Sequence, residues 1–245
     1  MIEVIDYNSI AHKLRKRKEI HSSESDICFF SNDITKVYKI FKSELDAYEL
    51  TLKNEKLKLL ESKKINSSIV IPDAKIINPD LVGTRENYID GLDLCYITLL
   101  YEIEDVLNIL LNISKDLESI HQNDGIILSD LNFFNIRIDE SKKHYFLDVL
   151  SYSIDGIPSN RICTYVAEYL KSKRVKVKAS INNDKISFLM ETISLLMDED
   201  FFYITNYEFD RASEKIKWLK KLKDVYIDLK NHYVPEVPYL HELIK

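Results

Sequence analysis

The sequence predicts an α+β chain, and three observations carry that expectation. Residues 20–41 and 69–89 hold short β-prone runs separated by turn residues. Residues 43–62, 103–121, 184–197 and 210–231 carry apolar side chains at helical spacing. Residues 126–148 (IILSDLNFFNIRIDESKKHYFLD) read as an apolar strand, a polar loop, a second strand, a tight turn and a third strand that ends on Asp148. A chain of 245 residues accommodates one large domain or two lobes sharing a cleft.

Composition bounds the function. Apolar residues make up 45% of the chain and charged residues 30%, the balance of an ordinary water-soluble globular protein. The net charge of −6 argues against a nucleic-acid partner. Cys28, Cys95 and Cys163 lie far apart without metal-ligand spacing, so they read as reduced core thiols of a cytoplasmic protein. No apolar run approaches the roughly 18 residues of a membrane span. Residues 1–20 lack the pattern of a signal peptide, and no membrane partner is expected.

In chain order, residues 12–18 (HKLRKRK) form a basic cluster, read as a solvated face. Residues 27–30 and 36–41 are β-rich, with Ser31-Asn32-Asp33 turning between them. Lys39 shares a strand face with Val37 and Phe41, so its ammonium points inward and needs an opposite charge. In residues 43–62, Leu45, Tyr48, Leu52 and Leu59 mark one helical face. Glu55 falls on that face as the expected partner of Lys39. Strands at 69–72 and 75–77 precede a turn at Asn78-Pro79-Asp80, and residues 81–91 continue as strand and connection. Residues 103–121 trace one stripe through Ile103, Val106, Leu107, Leu110, Leu117 and Ile120, and Gly125 suits the left-handed stop. Residues 184–197 are apolar on most sides, which predicts a buried helix with Asp184 as its N-cap. Ile216, Leu219, Leu222, Tyr226 and Leu229 line a final helix over 210–231.

The chemistry concentrates in residues 126–148. Asp130 and Asn135 stand five apart in the polar loop, and Asp148 follows Tyr145-Phe146-Leu147, where the chain leaves the core. A phosphoryl-transfer site uses one carboxylate to orient the attacking hydroxyl. It uses an amide oxygen and a second carboxylate to hold Mg²⁺ on the nucleotide phosphates. The plainer reading of Asp130 and Asn135 is a turn with Asx hydrogen bonds.

Asp130-Leu131 with Asn135, then Asp148, resembles the catalytic loop and metal-binding aspartate of the eukaryotic-like protein kinase family. The resemblance spans residues 20–197. It implies a two-lobed kinase-like fold: a small antiparallel β lobe with one helix over 1–88, and a mainly helical lobe, shorter than usual, over 89–245. It implies ATP and Mg²⁺ as cofactors. Lys39, held by Glu55, would grip the α- and β-phosphates; Asn135 and Asp148 would hold the metal; Asp130 would be the catalytic carboxylate. Ser22 and Ser25 fall where the family has phosphate-loop glycines, and Tyr88 and Ile89 where hinge backbone meets adenine. Asp184 falls where an aspartate bonds the catalytic-loop backbone. The chain departs from the family at Leu128-Ser129 for His-Arg, at Asn132 for a lysine, and at Val149-Leu150 for Phe-Gly. The function implied is transfer of the γ-phosphate to a hydroxyl, serine/threonine-kinase-like, on a protein or a small molecule. The alternative is a pseudokinase that regulates a protein partner.

Overall fold

The computed structural model describes residues 2–17, 24–159 and 161–244. The chain forms two compact units, Met1–Asp90 and Gly91–Lys245. The fold is α+β.

The first unit runs β1 (Glu3–Asp6), α1 (Tyr7–Ile10), β2 (Leu14–Lys16), β3 (Ser25–Phe30), β4 (Asp33–Phe41), α2 (Ala47–Ser62), β5 (Ala74–Asn78) and β6 (Asp80–Asn87). The strands make one six-stranded sheet in the order β1-β5-β6-β4-β3-β2. The antiparallel sheet expected from the sequence is mixed, because β1 pairs parallel with β5. The remaining pairings are antiparallel. The run Glu-Val-Ile-Asp of β1 is too short for alternation to announce it. Residues 69–72, expected as a strand, are not one. Ile69 and Val70 are buried, but Pro72 has no N–H for a ladder, and pairing starts at Ala74.

Both faces of this sheet carry apolar clusters. Ile27, Phe29 and Val37 pack with Tyr88 on one side. Ile10, Cys28, Tyr38 and Ile76 pack on the other. Alternation is therefore blurred in the sequence of the central strands. Gly83 is required on β6, since a Cβ there would lie 2.4 Å from the Lys39 carbonyl oxygen on β4.

Helix α2 starts at Asp46, whose carboxylate accepts from the Glu49 amide at 2.8 Å. Its buried residues are Leu52, Lys53, Lys56, Leu57 and Leu60. The face expected from Leu45, Tyr48, Leu52 and Leu59 is corrected accordingly: Tyr48 is 61% exposed, and Leu45 precedes the helix. Lysines occupy inward positions because their stems bury against apolar neighbours while the ammonium finds a carboxylate. Such a pattern does not read as an apolar stripe.

The second unit runs β7 (Leu92–Asp93), α3 (Ile103–Ser119), β8 (Ile126–Ile127), β9 (Ile136–Ile138), β10 (His144–Phe146), β11 (Ser153–Ile154), α4 (Thr164–Ser172), α5 (Ile181–Met197), α6 (Asn206–Lys215), α7 (Lys223–Asn231) and α8 (Leu240–Leu243). Three short strands form a sheet in the order β10-β9-β7, and β11 pairs with β8. α3 buries Val106, Leu110 and Leu117 of the expected stripe, with Ile109 and Ile113 beside them, whereas Ile103 and Leu107 are half-buried. It ends in a widened turn before Gly125, which takes φ +63°. α5 begins three residues earlier than expected, at Ile181, with Ser180 as its N-cap. Asp184 therefore lies inside the first turn and is not the cap. The single helix expected over 210–231 is two helices. The chain breaks after Lys215 and folds back, so that the Phe209 and Tyr226 rings stack at 4.4 Å. No helix among the described residues is long and apolar enough to cross a membrane.

Candidate active site

In the first unit, Lys39 projects from β4 on the face it shares with Val37. Its Nζ pairs with Glu86 Oε1 at 2.7 Å, the two side chains being 14% and 7% exposed. Glu86 lies on β6 opposite Val37, and Thr84 lies opposite Lys39. Lysine and carboxylate are thus diagonal neighbours on one face of an antiparallel pair. Glu55, expected in this role, is exposed on α2. The correction follows from the helix rotation above. At the inward positions α2 presents Lys53 and Lys56, which are 6% and 3% exposed. Lys53 Nζ pairs with Glu24 at 2.7 Å and lies 5.3 Å over the Phe41 ring. The helix thus offers a cation to Glu24 where a helix carboxylate was expected for Lys39.

Ser25 is buried at the start of β3. Ser22 lies outside the described residues. Tyr88 donates its backbone N–H to the Thr35 carbonyl at 2.9 Å, and its ring meets Phe29 edge-on at 5.6 Å. Ile89 is half-buried at the end of this unit.

In the second unit the loop between β8 and β9 is built from its own amides. Asn132 Oδ1 accepts from the Phe134 and Asn135 amides, both at 3.1 Å, and so caps the turn at Phe133–Asn135. Asn132 Nδ2 donates to the Asp130 carbonyl at 3.2 Å, and Asn135 Nδ2 donates to the same oxygen at 3.0 Å. Committing Nδ2 in this way leaves Oδ1 as the Asn135 amide atom suited to a cation. The Leu147 amide donates to the Asn135 carbonyl at 2.8 Å, continuing the β9–β10 register in which Phe146 faces Ile136. Asp148 therefore emerges beside Asn135. It takes φ +63°, uncommon for a residue with a Cβ, and its Oδ2 accepts from Ser151 Oγ at 2.8 Å. Thus Asn135 is tied to Asp130 by its side chain and to Leu147, the residue before Asp148, by its backbone.

Asp184 anchors this loop from α5. Its carboxylate accepts the Leu128 amide at 2.6 Å and the Ser129 amide at 2.9 Å. Ser187, one turn on, donates its hydroxyl to the Leu131 carbonyl at 2.7 Å. Sequence reasoning did not assign Glu86, Ser187 or the capping role of Asn132. The last was legible as an Asx residue ahead of a short turn; the others needed the register of distant elements.

Beside the loop, Tyr96, Leu99, Phe133, Glu191, Asp198 and Asp200 help to line an open groove of about 590 Å³. Burial and the nearby Asp200 push the Glu191 carboxyl up to about 7. Burial pushes the Cys95 thiol up to about 12, so it is no reactive thiolate. Among the described residues, no group of three or more His, Cys, Asp or Glu side chains is placed to hold a metal ion. Asn135 and Asp148 each carry a hard oxygen donor. Such donors suit Mg²⁺, which commonly takes one or two carboxylates and completes its shell with water and phosphate oxygens. No family model and no curated protein matches the chain.

Proposed function

We propose that this protein is an ATP- and Mg²⁺-dependent phosphotransferase of two-lobed kinase-like architecture, transferring the γ-phosphate to a hydroxyl. The observation that carries the reading is the hydrogen-bonded frame joining Asp130, Asn135 and Leu147, with Asp148 next in the chain. Asp130 orients the acceptor hydroxyl and receives its proton. Asn135, through Oδ1, and Asp148 hold Mg²⁺, whose charge offsets that of the phosphates. Lys39, kept in place by Glu86, binds the α- and β-phosphates. Positioning and charge stabilisation are what phosphoryl transfer asks of a protein, and these residues are of the types that supply both.

The test is transfer of labelled γ-phosphate by wild type and Asp130→Ala, beside thermal shifts with ATP and Mg²⁺. Wild type should transfer, and Asp130→Ala should lose at least about 100-fold. ATP at about 100 times its Kd should add about 2.7 kcal/mol of apparent stability, and Asp148→Ala should remove the Mg²⁺-dependent part. Absence of any nucleotide effect on wild type would overturn the reading. Mg²⁺-dependent binding without transfer to any acceptor would favour the second reading, a pseudokinase. The second reading draws on Val149-Leu150, which follow Asp148 where the family has Phe-Gly.

A further inference from the structure

The Leu128–Asp130 turn is a strained piece of backbone. Ser129 takes φ +55°, and the Asp130 amide turns back to the Leu128 carbonyl. Such a conformation costs of order 1 kcal/mol and persists only when its surroundings hold it. The holding group is Asp184, 1% exposed, and Asp184 is itself held by a buried relay. His121 Nε2 lies 3.0 Å from Asp184 Oδ2. On the other edge of the ring, His121 Nδ1 lies 3.0 Å from the Tyr239 hydroxyl. A carboxylate accepts only, so Nε2 carries the proton and donates to Asp184. In the neutral ring Nδ1 then accepts from Tyr239. Burial pushes the Tyr239 hydroxyl up to about 12, which keeps it a donor at ordinary pH.

Tyr239 is in turn seated by the C-terminal segment. Val237 donates its amide to Asn182 Oδ1 at 2.8 Å, and Glu242 Oε2 accepts the Tyr239 amide at 2.7 Å. His241 Nδ1 meets Ser114 Oγ at 2.9 Å, and its Nε2 lies 3.2 Å from Glu118. The Lys185 ammonium lies 4.8 Å over the Tyr239 ring. The His121 side chain is fully buried, so removing the tyrosine hydroxyl takes a partner from a buried ring nitrogen.

We propose that Tyr239 is a positioning residue for the Asp130 loop: its hydroxyl sets the His121 imidazole, which steadies the Asp184 carboxylate over the Leu128 and Ser129 amides. The C-terminal segment thereby fixes a turn more than a hundred residues earlier in the chain. The consequence for phosphotransfer rests on the function proposed above; the setting of the loop does not.

Amide-resolved hydrogen exchange on the full chain tests this. Tyr239→Phe keeps the ring and removes the hydroxyl. The Leu128 and Ser129 amides should then exchange about tenfold faster. Amides of α7 should be unchanged. Tyr226→Phe, which removes a buried hydroxyl bonded to the Ile204 carbonyl, should leave Leu128 and Ser129 as in wild type. Unchanged exchange at both amides in Tyr239→Phe would overturn the proposal. If that variant does not fold, His121→Gln is read in the same way. Kinetically, Tyr239→Phe should lower kcat several-fold with the KM for ATP unchanged, a split that loss of folded protein alone does not produce in active-site-titrated samples. Wild type without phosphotransfer would remove the proposed function and leave the exchange result to decide the relay.

Discussion

Lys39 and the Asp130 loop are both held by buried polar partners, but they reach those partners differently. The loop is stitched mainly by near neighbours: Asn132 and Asn135 bond back to Asp130, and Leu147 bonds to Asn135. Lys39 finds its carboxylate on another strand, at Glu86, through the register of β4 against β6. Local turn chemistry is written in short strings of Asp and Asn, and register is not. That difference explains why residues 126–148 could be picked out as a unit while Glu55 was paired wrongly with Lys39.

The strongest way to break this comparison is Asp184→Ala. Asp184 is the long-range bond of an otherwise local loop, and its loss leaves two buried amides and a buried imidazole without their acceptor. Denaturant unfolding should show a loss of at least about 3 kcal/mol, at about 1–3 kcal/mol for each buried donor left without its acceptor. A loss below about 1 kcal/mol would mean that the turn bonds alone hold the loop.

Next is Glu86→Ala, which removes the carboxylate paired with a nearly buried ammonium and should cost about 3 kcal/mol. Replacing the pair together, as Lys39→Met with Glu86→Leu, should recover most of that stability. Failure to recover it would show that the pair is not the stabilising unit.

Glu191 shares α5 with Asp184 and sharpens the contrast, because its burial is not matched by a set of amide donors. Its carboxyl is raised from near 4.5 to about 7 in the folded protein. Between those values the native state binds more protons than the unfolded state, so stability falls as pH rises through this window and the penalty is complete above 7. With a discount for partial exposure, the fall is about 2 kcal/mol. Glu191→Gln should flatten that part of the pH–stability curve; an unchanged slope would locate the titration elsewhere.

The smallest effect expected is Glu55→Ala, within about 0.5 kcal/mol, as for an exposed helix position. A loss comparable to that of Glu86→Ala would restore Glu55 as the partner of Lys39.

The α+β class, the long α3 stripe, the Asn78-Pro79-Asp80 turn and the loop of Asp130 and Asn135 were all legible in the sequence. The parallel edge strand β1 was not, because four residues show no period. The inward face of α2 was misjudged because Lys53 and Lys56 occupy it. A lysine is read as solvent-facing until the carboxylate that receives it is known, and Glu24 lies outside the helix. The 210–231 helix was overextended because its apolar positions continue in phase across the break at Ile216, beyond which Tyr226 stacks on Phe209 and bonds to the Ile204 carbonyl.

Segments whose period or turn chemistry closes within a few residues can be read without a fold: α3, the β5–β6 turn, and the Asp130–Asn135 loop with Asp148 at the end of its strand pair. Tertiary structure alone decided which distant groups meet. Lys39 takes Glu86, Leu128 and Ser129 take Asp184, and Asp184 takes His121 and, through it, Tyr239. The reason is physical. A local hydrogen bond is selected by a few dihedral angles of one short segment, whereas a buried charge selects its partner only after strands have found their register and helices their rotation. At that point leaving the charge unpaired costs more than the order needed to satisfy it.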